Sequence, residues 1–175
     1  MSIKQEIFSN DCSEYVALYG WQEHLGRSTI EFGYINSFKS AADDLVEKKL
    51  ADLYIFPIIF CYRQYLELLL KNIYYSHNTP DKYKLYLSRV SHDLKKSFTE
   101  VKPFLLSMHN QNTVNKVEEI IDIFHNLDEG SYNFRYSTDK KLNKSLPNPL
   151  IINTKQLRKH IDFIDSKLRC TYDDC

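Results

Sequence analysis

The segment DLYIFPIIFCYRQYLELLLKNIYY, Asp52 to Tyr75, decides the fold. Placed at about 100° per residue, Ile58, Ile59, Tyr62, Tyr65, Leu66, Leu68, Leu69, Leu70 and Ile73 cover well over half of a helical circumference. A helix this apolar needs neighbours on several sides, so the segment predicts the centre of a helical bundle. Asp52 is placed to cap its N-terminus, and Pro57 comes early enough to be tolerated at the cost of a bend. Cys61 reads as a small buried hydrophobe. The remaining sector holds Arg63, Gln64, Glu67 and Lys71.

Amphipathic helices are expected on both sides of this segment. From Thr29 to Lys48, Ile30, Tyr34, Phe38, Ala41, Ala42 and Leu45 recur at helical spacing, with Asp43, Asp44, Glu47 and Lys48 on a polar far side. Thr79-Pro80 supplies an N-cap and a proline at the first helical position of a short helix with Tyr83, Leu85, Tyr86, Leu87 and Val90. Ser91-His92-Asp93 begins the next, with Leu94, Phe98, Val101 and Leu105 on one face and a bend expected near Pro103. Thr113 opens a helix that repeats Val114, Val117, Ile120, Ile121, Phe124 and Leu127 before Gly130 breaks it. Residues 132–153 read as irregular or extended, because Pro147 and Pro149 block helix continuation. Thr154 caps a last helix with Leu157, Ile161, Ile164 and Leu168. The expectation is an all-α, single-domain bundle of about six helices over residues 1–175. Its core covers about 29–169, with 1–12 and 170–175 loosely ordered.

Composition supports this reading. Only four glycines and five prolines among 175 residues leave little material for a hairpin-rich fold, and 43% hydrophobic residues are enough for a real core. The longest nearly apolar run, Ile55 to Tyr62, is far shorter than the roughly 20 residues of a membrane span, so a cytoplasmic chain without membrane contact is expected. The four cysteines form no CxxC pair and no zinc-finger spacing, which predicts neither a metal site nor a disulfide scaffold. No motif calls for a cofactor, and the nucleotide-binding, dinucleotide, zincin and hydrolase signatures are absent. Basic and acidic residues balance at 23 each. The balance conceals a middle third, residues 61–117, that is net positive between two net negative ends. That surplus fits a phosphate-facing cleft or ordinary solvated helix faces.

Three groups of polar residues stand apart from the core pattern. Arg63, Glu67 and Lys71 lie at i, i+4 and i+8 on the most apolar helix. They form either a salt-bridge ladder or a partly buried site whose Arg needs bidentate partners. His92 at a helix start is suited to act as a neutral imidazole base, or it is simply structural. Arg135 lies among Tyr132, Phe134 and Tyr136 in an extended stretch whose alternation would turn Phe134 and Tyr136 one way and Arg135 the other. It is either an anion contact or a surface Arg stacked on tyrosine.

Four stretches carry a resemblance. Tyr34 to Asp43 is similar to "GFKxAAD", and Phe56 to Lys71 looks like "YPIVFLYRHYLELRLK". His92-Asp93-Leu94 matches "HDL", and Ser131 to Lys140 resembles "SxxFRYPxDK". In this order they resemble an uncharacterised bacterial family of small all-helical proteins, and through it the HEPN-like bundles of defence and toxin–antitoxin systems. That resemblance implies a homodimeric, metal-independent ribonuclease. His would act as general acid and base and Arg would stabilise the charge of the phosphorane-like transition state. The HEPN pattern R-x(4–6)-H is missing, Gln64 follows Arg63 where the family has His, and Ser137 replaces the proline of "FRYP". A site would therefore be assembled by folding. Arg63, Glu67, His92 and Arg135 are the catalytic candidates, and Gln64, Lys71 and Tyr136 the binding candidates. RNA, a nucleotide or a partner protein are the expected ligands. The alternative is a non-catalytic interaction or anion-binding module in which the polar cluster is purely structural.

Overall fold

A computed structural model describes residues 27–128, 130–146 and 148–169, with Ile7 and Ala17 as isolated positions. The expectation of loose ends at 1–12 and 170–175 lies outside the described residues, apart from Ile7. The described elements are six α-helices: α1 (Arg27–Glu47), α2 (Ala51–Ser76), α3 (Pro80–Val90), α4 (Leu94–Met108), α5 (Gln111–Leu127) and α6 (Thr154–Leu168). Extended structure among them is limited to one isolated antiparallel bridge, Thr138 with Lys144. The all-α bundle expected from periodicity is what the chain forms.

The central position of α2 follows from its sequence. It packs against α1, α3, α4 and α6, while α5 lies along α4. Ile58, Ile59, Tyr62, Tyr65, Leu66, Leu69, Leu70 and Ile73 are all buried, and Leu68 and Cys61 are half-buried. Helix α2 is long and apolar enough to cross a membrane by length and composition alone, because residues beyond Arg63 extend the eight-residue run. Half of that apolar window is buried inside the bundle. The Tyr74 ring stacks on Tyr86 of α3 with centroids 3.9 Å apart, and Phe104 of α4 meets Tyr74 edge-on.

Several helix starts lie beside the expected residue. Leu50, with no side-chain cap, precedes α2, and Asp52 is a first-turn acid that acts on the helix dipole. Asp93 caps α4, Asn110 caps α5 and Asn153 caps α6, each accepting from the N–H three residues on, at 2.9–3.0 Å. Thr113 and Thr154 are thus already inside their helices. Asn at the preceding turn supplies the carboxamide oxygen that a capping position favours.

The face of α1 is also turned from its expected phase. Ile35 and Ala42 are fully buried, with Phe38, Leu45 and Val46 half-buried, whereas Tyr34 is 46% exposed and Ala41 is also exposed. Asp43 does not belong to a solvated far side. It accepts from Lys39 (2.8 Å) and from the Tyr62 hydroxyl of α2 (2.7 Å), and Lys39 also reaches Asp162 of α6 (2.6 Å). Arg158 of α6 bonds Glu47 and lies 3.4 Å from Asp43. Charges that look like an exposed edge of one helix are the seam joining three.

Candidate functional site

Arg63 is fully buried, which a guanidinium tolerates only when its donors are matched. Its Nη1 donates to Glu67 Oε2 one turn along α2 (2.9 Å). Its Nη2 donates to the carbonyl of His92, in the α3–α4 junction (2.6 Å), and its Nε to the carbonyl of Asp128, just past α5 (2.9 Å). One side chain therefore ties α2 to two connections that lie 29 and 65 residues away.

Glu67, 2% exposed, is the second hub. Its Oε1 accepts from Lys71 Nζ (2.7 Å) and faces His92 Nδ1 (2.9 Å). Burial alone would raise its pKa. Hydrogen bonds from Lys71, Arg63 and His92 outweigh that and hold the carboxyl below its ordinary range. Glu67 is thus an anion, so His92 must present Nδ1–H to it. Nε2 makes no hydrogen bond or ion pair among the described residues, on a side chain that is 64% exposed. His92 precedes the cap of α4 by one residue, which frees its carbonyl for Arg63.

Asp128 is the residue that sequence reasoning missed. It is fully buried, and its Oδ1 accepts from the N–H groups of Tyr132 (2.6 Å) and Asn133 (2.8 Å). Oδ2 lies 3.7 Å from Arg63 Nε. Ser131 adopts φ 59°, a left-handed conformation that costs a non-glycine residue roughly 1–2 kcal/mol, which these anchors offset. An Asp closing the apolar pattern two residues before Gly130 was the available signal, since Asp side chains bond main-chain N–H groups in turns.

Arg63, Glu67, His92 and Lys71 form one hydrogen-bonded cluster. Arg135 forms no hydrogen bond or ion pair with it among the described residues. Residues 132–136 do not alternate as an extended strand, because the N–H groups of Arg135 and Tyr136 both bond the Tyr132 carbonyl in a single tight turn. Phe134 is buried, while Arg135 and Tyr136 are exposed. The Arg135 guanidinium lies 5.2–5.9 Å from the ring centres of Tyr132, Tyr136 and Phe60, and its Nε donates to the Ser131 carbonyl. Tyr136 thus belongs to the Arg135 group. Gln64 is half-buried beside Arg63 and makes no side-chain hydrogen bond among the described residues. No set of three His, Cys, Asp or Glu side chains among the described residues is arranged to hold a metal ion.

No family model matches the chain, and no curated protein or solved structure shows significant similarity to it.

Proposed function

We propose that this chain is a HEPN-like cytoplasmic protein, working as a homodimer in a bacterial defence or toxin–antitoxin setting. It would act on RNA or a nucleotide through His92. The observation that carries this reading is the Glu67–His92 pair. A buried carboxylate fixes the imidazole through Nδ1, and a solvent-facing Nε2 is left to take or give a proton. Around the same turn, Arg89, Lys95 and Lys96 line a shallow surface depression with Glu100, and a phosphate would reach them by displacing their carboxylate partners Glu100, Asp122 and Asp93. In this scheme Glu67 and Lys71 position His92, and Arg63 holds the two connections in place.

The test is cleavage of a mixed RNA substrate in EDTA. Wild-type protein should cleave it, His92→Ala should abolish cleavage, and Glu67→Gln should shift the pH profile. Retention of cleavage in His92→Ala would overturn the reading.

One observation favours a second reading. Arg63 is fully buried and each of its three nitrogens already donates to a protein acceptor, so the guanidinium is out of a substrate's reach. On that reading the cluster is structural, and the chain is a non-catalytic module that binds a partner protein or a small anion. A ligand-induced rise in Tm without turnover would support it.

A further inference from the structure

A cleft of about 610 Å³ opens between the first turns of α2 and the segment 133–146, away from the contacts of His92. We propose that it is a binding site for a small aromatic anion, a flat ring carrying one phosphate, carboxylate or sulfonate group. This site is independent of the reading built on His92.

Three observations carry the inference. The walls are largely apolar: Phe56, Phe134 and Tyr136 contribute rings, and Leu146 lies beside them. The Phe56 and Phe134 rings are 6.2 Å apart, and Phe56 and Tyr136 remain about half exposed, at 50% and 52%. A volume of this size falls within the roughly 300–1,000 Å³ of small-molecule sites.

Two cations, Arg135 and Lys144, line the same cleft, and neither forms an ion pair with a carboxylate among the described residues. Arg135 uses Nε on Ser131, and its terminal nitrogens make no protein hydrogen bond among the described residues. Flanked by three rings, the guanidinium is already ordered, so an arriving anion pays little of the usual entropy of fixing an Arg side chain.

The cationic wall is also built rather than loose. Asp139 Oδ1 accepts from the N–H groups of Lys141 (2.7 Å) and Asn143 (2.9 Å), and Asp139 N–H bonds the Asn143 carbonyl (2.9 Å). The Thr138–Lys144 bridge closes the loop directly at Lys144. The opposite wall hangs from Asp128. An anion reaching both cations would thus meet a guanidinium held at Nε by a main-chain carbonyl and a lysine whose backbone is held by the bridge, with its ring against Phe56 and Tyr136.

The experiment is a fluorescence titration of the full chain with 1-anilinonaphthalene-8-sulfonate, and with neutral N-phenyl-1-naphthylamine as the uncharged control. We expect one saturable sulfonate site, weakened about tenfold or more in Arg135→Met/Lys144→Met. The neutral dye should be little affected by that change, and His92→Ala should leave the sulfonate affinity unchanged. Lys144→Met alone, which leaves the ring cluster intact, should give a smaller loss and guards against loosening of the loop by the Arg135 change. Displacement of the dye by uridine monophosphate or by benzoate supports the site and tells a nucleotide source from an aryl carboxylate. No saturable site, equal affinity in the double variant, or displacement by neither competitor would overturn it. No RNA cleavage by the wild-type chain, or cleavage retained in His92→Ala, with dye binding intact would fail the His92 reading alone.

Discussion

Arg63 Nε donates to the main-chain carbonyl of Asp128 across 2.9 Å, while the Asp128 carboxylate holds the two N–H groups that start the next loop. The central helix and the irregular segment are therefore joined through one acidic residue. Its carbonyl faces the helix and its Oδ1 faces the loop.

Removing Arg63 strands buried charge. Arg63→Met leaves Glu67 with one fewer cation and Asp128 with none within 4 Å among the described residues, and should destabilise the fold by about 3–5 kcal/mol. Arg63→Met/Glu67→Leu should recover a substantial part of that loss, since the pair is then replaced by apolar volume. Arg63→Lys should not, because an ammonium cannot serve three acceptors arranged as a fork. Urea unfolding, compared by midpoint at constant slope, measures all three.

Asp128 is tested through the loop. Asp128→Ala removes the acceptor of two main-chain donors and should cost about 1–3 kcal/mol. The Tyr132 and Asn133 amides should lose protection in hydrogen exchange before the helices do. Asp128→Asn keeps one side-chain oxygen and should retain much of the protection. Equal exchange in Asp128→Ala and wild type would mean that the loop is held by something else.

Acid should weaken the fold through Glu67. Its folded pKa lies below the unfolded one, so its stabilisation is complete above the ordinary carboxylate range. It is lost as pH falls through that range toward the depressed folded value. Stability should therefore decline on acidification below about pH 4.5, near the ordinary Glu pKa. Glu67→Gln should flatten this acid limb while lowering stability at neutral pH. Chemical denaturation at a series of pH values gives the slope directly.

The seam joining α1, α2 and α6 should respond unevenly to the loss of Asp43 and of Asp162. Asp43 is 17% exposed and accepts from Lys39 and Tyr62, whereas Asp162 is 49% exposed. Asp43→Ala should cost about 1–3 kcal/mol, and Asp162→Ala less than about 1 kcal/mol. Tyr62→Phe should cost on the order of 1 kcal/mol and isolates the hydroxyl contribution. Thermal unfolding of the three variants gives the order.

Much of the fold was legible because burial in a helix has a period. The central role of α2 follows from apolar residues spread around its circumference, and the six segments follow from repeats of three and four. The stripe of Arg63, Glu67 and Lys71 was visible for the same reason. What closes that stripe was not, since Arg63 binds the carbonyls of His92 and Asp128, and a main-chain acceptor leaves no mark in residue type. The phase of α1 was misread because Tyr34 and Ala41 border the true stripe of Ile35, Phe38 and Ala42 and are nearly as apolar. Arg135 looked extended because a one-turn loop and a short strand share the same aromatic composition. The bonds of the Arg135 and Tyr136 N–H groups to the Tyr132 carbonyl, beside the anchor on Asp128, distinguish them.

The grip of Asp128 on Tyr132 and Asn133 passes entirely through peptide N–H groups, which every residue but proline possesses. The attachment is therefore indifferent to which side chains follow it. Drift at the exposed positions 135–144 can rewrite the chemistry displayed beside α2 while the hinge-pin and the bundle behind it stay as they are. A library randomised over that stretch, with Asp128 and Arg63 held constant, starts from a scaffold already suited to acquiring new ligands.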